Sequence, residues 1–250
     1  MNRAGGLFYH ARAVRSAGAR WRPFRDALGQ WLNDVFDPAA PLVVVGPSAG
    51  YCLPDAFLAR FDDVTALEPD PVARWLLARR ARRLGIRSLE LVSEDRLVAP
   101  LLTGMASGLD AMLGRRPTAS VLFANVLGQI RFLLTDGERG EWQRAWTKRL
   151  APLLARRTWA SFHDRVSSAS APAVVMPHRT SVRLSDAALG RTFYGHLDGR
   201  IELLDHLTER LFPAGIPHAY FHWELDRSSH HLVEAVAHRP SIPVNTQNES

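Results

Sequence analysis

An α/β fold built on a doubly wound, mainly parallel sheet is what this 250-residue sequence predicts, and three observations predict it. Five short, apolar, β-branched segments alternate with helical patterns between residues 42 and 163. The first of them runs directly into a turn bounded by two glycines, within PLVVVGPSAGYCLP (41 to 54). Near the end, HAYFHWEL (218 to 225) and HHLVEAVAH (230 to 238), separated by DRSS, read as an antiparallel hairpin. Parallel neighbours need crossover connections, so the five strands should form a sheet covered by helices on both faces. With the hairpin, seven strands are expected.

The elements follow in order. Residues 1 to 20 are small residues and arginine with poor periodicity, whereas WRPFRDALGQWLNDVF (21 to 36) sets Phe24, Leu28, Trp31, Leu32 and Phe36 at helical spacing. Residues 1 to 40 are therefore expected as a helical arm, ahead of a main domain spanning 41 to 240. Asp37-Pro38 and Pro41 break the pattern, and LVVVG reads as a buried strand. VTALE (64 to 68) is a second strand, PVARWLLARRARRLG (71 to 85) a helix closed by Gly85, and SLELVS (88 to 93) a third strand. A helical stretch near 95 to 113 precedes ASVLFAN (119 to 125), the fourth. GEWQRAWTKRLAPLL (140 to 154) places Trp142, Trp146, Leu150 and Leu154 at steps of four, a core-facing stripe whose alternative is an aromatic ligand box. TWASFH (158 to 163) is the fifth strand. The Ser-, Ala-, Pro- and Gly-rich stretch 164 to 200 reads as irregular, IELLDHLTERLF (201 to 212) as an amphipathic helix, and 241 to 250 as a disordered tail.

Composition narrows the classes. No apolar stretch reaches the roughly 20 residues of a membrane helix, so a soluble, cytoplasmic protein is expected. A single cysteine, Cys52, excludes an intramolecular disulfide and a thiolate-rich zinc site. The net charge of +6 is carried almost wholly by arginine, Lys148 being the only lysine. The run ARRARRLGIR (78 to 87) spreads its arginines around a helix, which favours a solvated surface over a phosphate-binding patch.

The glycine turn admits rival chemistries. Gly46-Pro47-Ser48-Ala49-Gly50 spells G-x-S-x-G, a hydrolase elbow in which Ser48 would be the nucleophile and Asp164 or Asp205 with His230 its partners. Only one strand precedes the serine, however, and no oxyanion segment lies upstream. A nicotinamide fingerprint would need glycine at 48 and 53, where Ser48 and Leu53 stand, and no Gly-Lys-Ser/Thr forms a Walker loop. A nucleotide-binding loop fits better. It needs small residues for close backbone approach and a carboxylate at the end of the next strand for ribose hydroxyls, and Glu68 stands there.

The succession VVVGPSAGY, ALEPDPVARWLLARRARRLG, SEDRL and FANVLGQ resembles the signature segments of class I, Rossmann-like, S-adenosylmethionine-dependent methyltransferases over roughly residues 40 to 240. Order and spacing carry the resemblance rather than any single segment. It implies S-adenosylmethionine as cofactor, held by Gly46, Pro47, Ser48, Gly50 and Tyr51. Glu68 and the following Pro69 would lie at the ribose, Asp95 near the adenine, and Asn125 and Leu127 at the edge of the pocket. Gly128 and Gln129 would edge the same pocket on the acceptor side; Asp164, after the fifth strand, is expected there too, orienting His163 or else capping a turn. Two positions depart from the family pattern. Val44 stands where an acid is usual, two before the first glycine, and Ser48 replaces the middle glycine. A non-catalytic relative that has kept the fold for binding or regulation is the alternative those departures raise.

His163, at the end of the fifth strand, and Asn125 are the expected catalytic residues. The histidine would act as a base for an attacking hydroxyl or amine, its other reading being a strand-end histidine bonded to backbone. Tyr9 and His10 would close over the pocket as a lid, or belong to a disordered arm. No metal site is expected: in a strand His218 and His222 lie about 13 Å apart, and His230 and His231 point to opposite faces. A small-molecule acceptor is favoured because no Asn-Pro-Pro-Tyr signature follows the fourth strand, although nucleic acid and protein substrates stay open; a membrane partner is not expected.

Overall fold

The computed structural model describes residues 7–105, 107–195, 203–208, 211–213 and 215–240. Two helices open the chain, α1 (Leu7–Ser16) and α2 (Arg22–Val35), the second started by a proline in its first turn. β1 (Leu42–Val45), the short α3 (Asp55–Leu58), β2 (Asp63–Leu67), α4 (Pro71–Leu84) and β3 (Ser88–Val92) follow. α4 is bounded as its sequence requires. The Asp70 side chain accepts from the Val72 and Ala73 amides, Pro71 begins the helix, and Gly85 ends it at φ 74°.

The stretch expected as one helix over 95 to 113 is two, α5 (Ala99–Thr103) and α6 (Leu109–Gly114), because Gly104 turns left-handed at φ 73° and stops the first. After β4 (Ser120–Ala124) come α7 (Ile130–Leu133) and α8 (Asp136–Ala145), which a Thr135–Glu138 capping box starts. A π-helical turn (Trp146–Leu150) joins α8 to α9 (Ala151–Leu154).

β5 runs from Trp159 to Ser168, five residues past the expected end. Beyond it lie β6 (His178–Thr180), α10 (Asp186–Leu189), β7 (Leu204–Asp205), β8 (His218–Asp226) and β9 (Ser229–His238). The helix expected over 201 to 212 is not formed in its described part. Leu204 and Asp205 pair instead with Ser167 and Val166 of β5, so sheet hydrogen bonds override a helical pattern of apolar residues. The expected tail, 241 to 250, lies outside the described residues.

The nine strands of the described residues join one sheet in the order β3-β2-β1-β4-β5-β9-β8-β6, with β7 on β5. The pairs β3–β2, β2–β1, β1–β4 and β4–β5 are parallel; β9 runs antiparallel between β5 and β8. β8 is therefore parallel to β5. The expected seven strands are present, and β6 and β7 are short additions. This is a Rossmann-like, doubly wound α/β fold, with winding that reverses between β1 and β4 and a reversed strand inserted last.

β1 alternates between two cores. Leu42 and Val44 face one with Phe24, Leu28 and Leu32 of α2; Val43 and Val45 face the other with Trp142, Trp146, Leu150 and Leu154. The tryptophan stripe is thus core, its indole N–H groups satisfied by the carbonyls of Leu97 and Leu211. α2 lies on β8, where Phe24 stacks on Trp223 at 5.2 Å and Trp21 donates to the Leu225 carbonyl at 3.0 Å. The N-terminal helices are by this packing part of one face of the sheet.

Candidate functional site

The carboxyl ends of β1, β2 and β4 open onto two cavities that share Gly46, Pro69 and Val126. Both lie where the winding reverses, the position at which open α/β sheets take ligands. The first, of about 380 Å³, is walled by Gly46, Pro47, Ser48, Glu68, Asn125, Gln129 and Asp164, with His10 and Arg12 from α1 and Trp223 and His231 from the hairpin. The second, of about 370 Å³, is a mainly apolar slot between Leu67, Leu97, Val98, Val126 and Leu133, with Asp95 at its edge.

The turn after β1 is left-handed at alternate residues: Gly46 at φ 68°, Ser48 at 51° and Gly50 at 74°. A side chain at Gly46 would also press on Val126, whose Cβ lies 2.8 Å from where a Cβ would sit. Ser48 adopts the left-handed conformation that favours glycine, an uncommon one for a residue with a Cβ. This backbone aims the Ser48 amide at Glu68 Oε2, 2.7 Å away, while the Asp70 amide donates to Oε1 at 3.0 Å. Burial raises the Glu68 pKa, against those two hydrogen bonds. Each carboxylate oxygen can accept more than one donor, so the group retains capacity for ligand hydroxyls.

α4 braces the turn from behind. Arg80, largely buried, donates to the carbonyls of Gly50 and Leu53 and to Asp55 Oδ1. The expectation that the arginine run is a solvated surface therefore fails at Arg80, because its position on the helix points it under the loop. On the outer side, the Tyr51 hydroxyl meets His10 Nδ1 at 3.1 Å, and His10 Nε2 meets Asp70 Oδ2 at 3.1 Å. His10 lines the first cavity. Tyr51 does not line it, having turned to His10, and the Tyr9 side chain lies outside the described residues.

At the far end stands a buried polar corner. Asn125, at φ 56°, accepts from the Asp164 amide at 2.9 Å and donates to Asp164 Oδ2 at 3.3 Å; Gln129 Nε2 reaches the same oxygen at 3.4 Å. Asp164 Oδ1 lies 2.9 Å from His231 Nδ1. Burial would raise the Asp164 pKa, but the neighbouring imidazoles and the Asn125 amide outweigh it and bring it down to about 2. His206, also buried, contacts the Gly128 carbonyl through Nδ1 at 3.1 Å. One ligand-type atom each of Asp164, His206 and His231 falls within 4.8 Å of the others.

Several expectations are corrected here. His163 is fully buried on the opposite face of β5 from Phe162 and Asp164, stacked on Phe212 and bonded to Ser161 and Glu234. Strand alternation turns it away from the cavity, so it touches no ligand bound there. Leu127 packs into the second core, and Gly128 is pressed against the Asp164 backbone, where a Cβ would come 2.9 Å from the carbonyl oxygen. Neither lines either of the two cavities. Asp95 borders the slot, but its oxygens accept from the amides of Leu97, Val98 and Ala99, capping α5. No hydrolase triad forms among the described residues: His230 pairs with His222, and Asp164 faces His231. The expectation that no metal-ligand set exists fails geometrically at Asp164, His206 and His231.

Sequence reasoning missed Arg12, Trp223, His206 and His231. The HH pair does show that one of its members faces each side of the sheet, but not which strand it would lie against. No described helix is long and apolar enough to cross a membrane.

Fold and cleft together define a Rossmann-like α/β protein with two adjoining cavities at its switch point. No protein-family model matches the chain, and no curated protein matches it in sequence. Among solved structures it is similar to a SAM-dependent methyltransferase from Anabaena variabilis, at 12% identity over 92% of each chain and a TM-score of 0.49. It is also similar to the glycopeptide N-methyltransferase MtfA complexed with S-adenosyl-L-homocysteine (16% identity, 91% of this chain and 97% of that one, TM-score 0.42). A DhpI-SAM-HEP complex is a third (15%, 92% and 94%, 0.41). The fold assignment rests on strand order and direction; identities of this size carry nothing about substrate.

Proposed function

We propose that this protein transfers a methyl group from S-adenosylmethionine to a small-molecule acceptor. The observation that carries the reading is the divided pocket at the switch point, with the Glu68 carboxylate buried beside the left-handed turn where the two cavities meet. The apolar slot suits adenine, Glu68 the ribose hydroxyls, and the turn from Gly46 the amino-acid end of the cofactor, as in nucleotide sites of this architecture. The sulfonium methyl would then face the first cavity, where Asn125, Gln129 and Asp164 form the polar wall.

The chemistry asks little of such a wall. An acceptor lone pair forms the bond to the methyl carbon as the carbon–sulfur bond breaks, its electrons returning to sulfur to give the neutral thioether. An acceptor proton leaves to solvent or to a nearby base. Because the leaving group is already activated, alignment of the nucleophile, methyl and sulfur supplies most of the acceleration. Asn125 orients Asp164, and the ionised Asp164 gives an acceptor hydroxyl or amine a hydrogen-bond acceptor. His10 and Arg12 on α1 would exclude water from above.

Calorimetric titration tests this. S-adenosylmethionine and S-adenosylhomocysteine should each bind at one site per chain, and Glu68→Ala should weaken both by tenfold or more, roughly the loss of one charge-assisted hydrogen bond. Absence of heat with both at high micromolar concentration would reject the transferase and favour a relative that has kept only the fold.

A further inference from the structure

We propose that Asp164, His206 and His231 form a binding site for one divalent first-row transition metal ion at the floor of the first cavity. The ligand atoms come from three elements: Asp164 from β5, His231 from β9, and His206 from the residue after β7. They lie within 4.8 Å of one another. Two nitrogens and a carboxylate oxygen are a donor set such ions favour, and two histidines with one carboxylate on one side leave further positions open.

The pair at the centre is the sharpest observation. Asp164 Oδ1 and His231 Nδ1 form a buried ion-pair contact of 2.9 Å, and no other hydrogen bond reaches either atom. Two ligands at right angles on an ion about 2.1 Å from each would be separated by about 3.0 Å. An ion bound between them would replace this pairing, taking the imidazole lone pair and the carboxylate oxygen as ligands.

Each ligand's other polar atom is meanwhile engaged, as metal-ligating side chains require. Asp164 Oδ2 accepts from Asn125 and Gln129. His206 Nδ1 lies 3.1 Å from the Gly128 carbonyl, which takes its proton and leaves the lone pair on Nε2. His231 Nε2 lies 3.3 Å from Ser229 Oγ, which can accept its proton and so free the Nδ1 lone pair for an ion. Ser167 Oγ is 3.3 Å from His206 Nε2, a weak contact that an ion would replace.

Asp164 and His231 line the first cavity, so the open positions face it. An ion there would bind an acceptor oxygen or nitrogen and favour its deprotonated form. This role, unlike the site itself, rests on the methyl-transfer reading.

The full chain, stripped with a chelator, should bind one equivalent of Co²⁺ with visible d–d absorption, and paramagnetically shifted NMR should show the exchangeable ring N–H protons of two histidines. Asp164→Asn and His206→Gln should each weaken Co²⁺ binding more than tenfold, while His222→Gln, at the other histidine pair, should not. Acetohydroxamic acid should shift the absorption bands by filling the open positions. Unshifted bands would overturn the open face. No d–d bands with the wild-type chain, or Co²⁺ affinity unchanged in both variants, would overturn the site. The wild-type NMR signature decides the matter if either variant fails to fold. A parallel S-adenosylhomocysteine titration separates the two proposals, since Co²⁺ binding without cofactor heat upholds the metal and removes its role in methyl transfer.

Discussion

Gly46 and Glu68 stand at the end of the cleft proposed to take the cofactor, and each yields a prediction at its own scale. Gly46→Ala would impose a Cβ at φ 68° and drive it into Val126. We expect roughly 2–3 kcal/mol of lost stability, measured by thermal or urea unfolding, from left-handed strain plus the clash. Gly46→Ala with Val126→Ala should recover the clash part but not the strain, so a full recovery would contradict the backbone account. For Glu68, burial raises the pKa. Its ionised form is the better partner for ribose hydroxyls, so cofactor affinity is complete above that pKa and falls as pH drops through it. Titrations at stepped pH should show the loss beginning above the 4.5 of an ordinary glutamate, and Glu68→Gln should abolish that step.

Among elements, α4 stabilises the site without touching it. Arg80 holds two carbonyls of the turn and one carboxylate oxygen from beneath, and side chains of this kind are costly to remove once the groups they satisfy are buried. Arg80→Ala should cost about 2–3 kcal/mol of stability and weaken S-adenosylhomocysteine binding together, by unfolding and by calorimetry. Arg80→Lys should recover only part, since an ammonium lacks the planar fork that spans two carbonyls and Asp55. An affinity unchanged in both variants would mean that the turn holds its shape unaided. α1 acts from the other side, where His10 ties the turn to Asp70 through Tyr51 and its own ring.

Across the whole molecule, the sheet carries a second buried polar cluster behind the cleft. Glu234 on β9 accepts from His163, His218, Tyr220 and Arg183. Burial opposes its charge, but the hydrogen bonds from His163 and His218 and the Arg183 guanidinium outweigh burial and hold its pKa well below the usual value. A carboxyl depressed in the folded state contributes stability that is present above the unfolded pKa of about 4.5 and lost as pH falls below it. The unfolding midpoint should therefore fall between about pH 5 and 3, and less steeply in Glu234→Gln. Equal acid sensitivity in both proteins would place the depressed group elsewhere.

Alternating apolar strands, the glycine turn and Glu68 at the next strand's end could be found by inspection of the chain, because they depend on local periodicity and on fixed offsets along a βαβ unit. The same holds for the caps of α4 and for the tryptophan stripe. His163 was legible as a strand-end histidine but not as one facing away, since β5 runs five residues further and its alternation sets which side chains meet the cleft. The polar corner was beyond reach for a different reason. Asp164, His206 and His231 lie up to 67 positions apart and converge only through the antiparallel insertion of β9 beside β5 and the bridge of β7. By itself the sequence determined the architecture, the switch point and the end of the cleft proposed for the cofactor, whose residues are neighbours along one chain segment. Only the tertiary structure decided the acceptor end, because long-range strand pairing and register choose which distant side chains share a face.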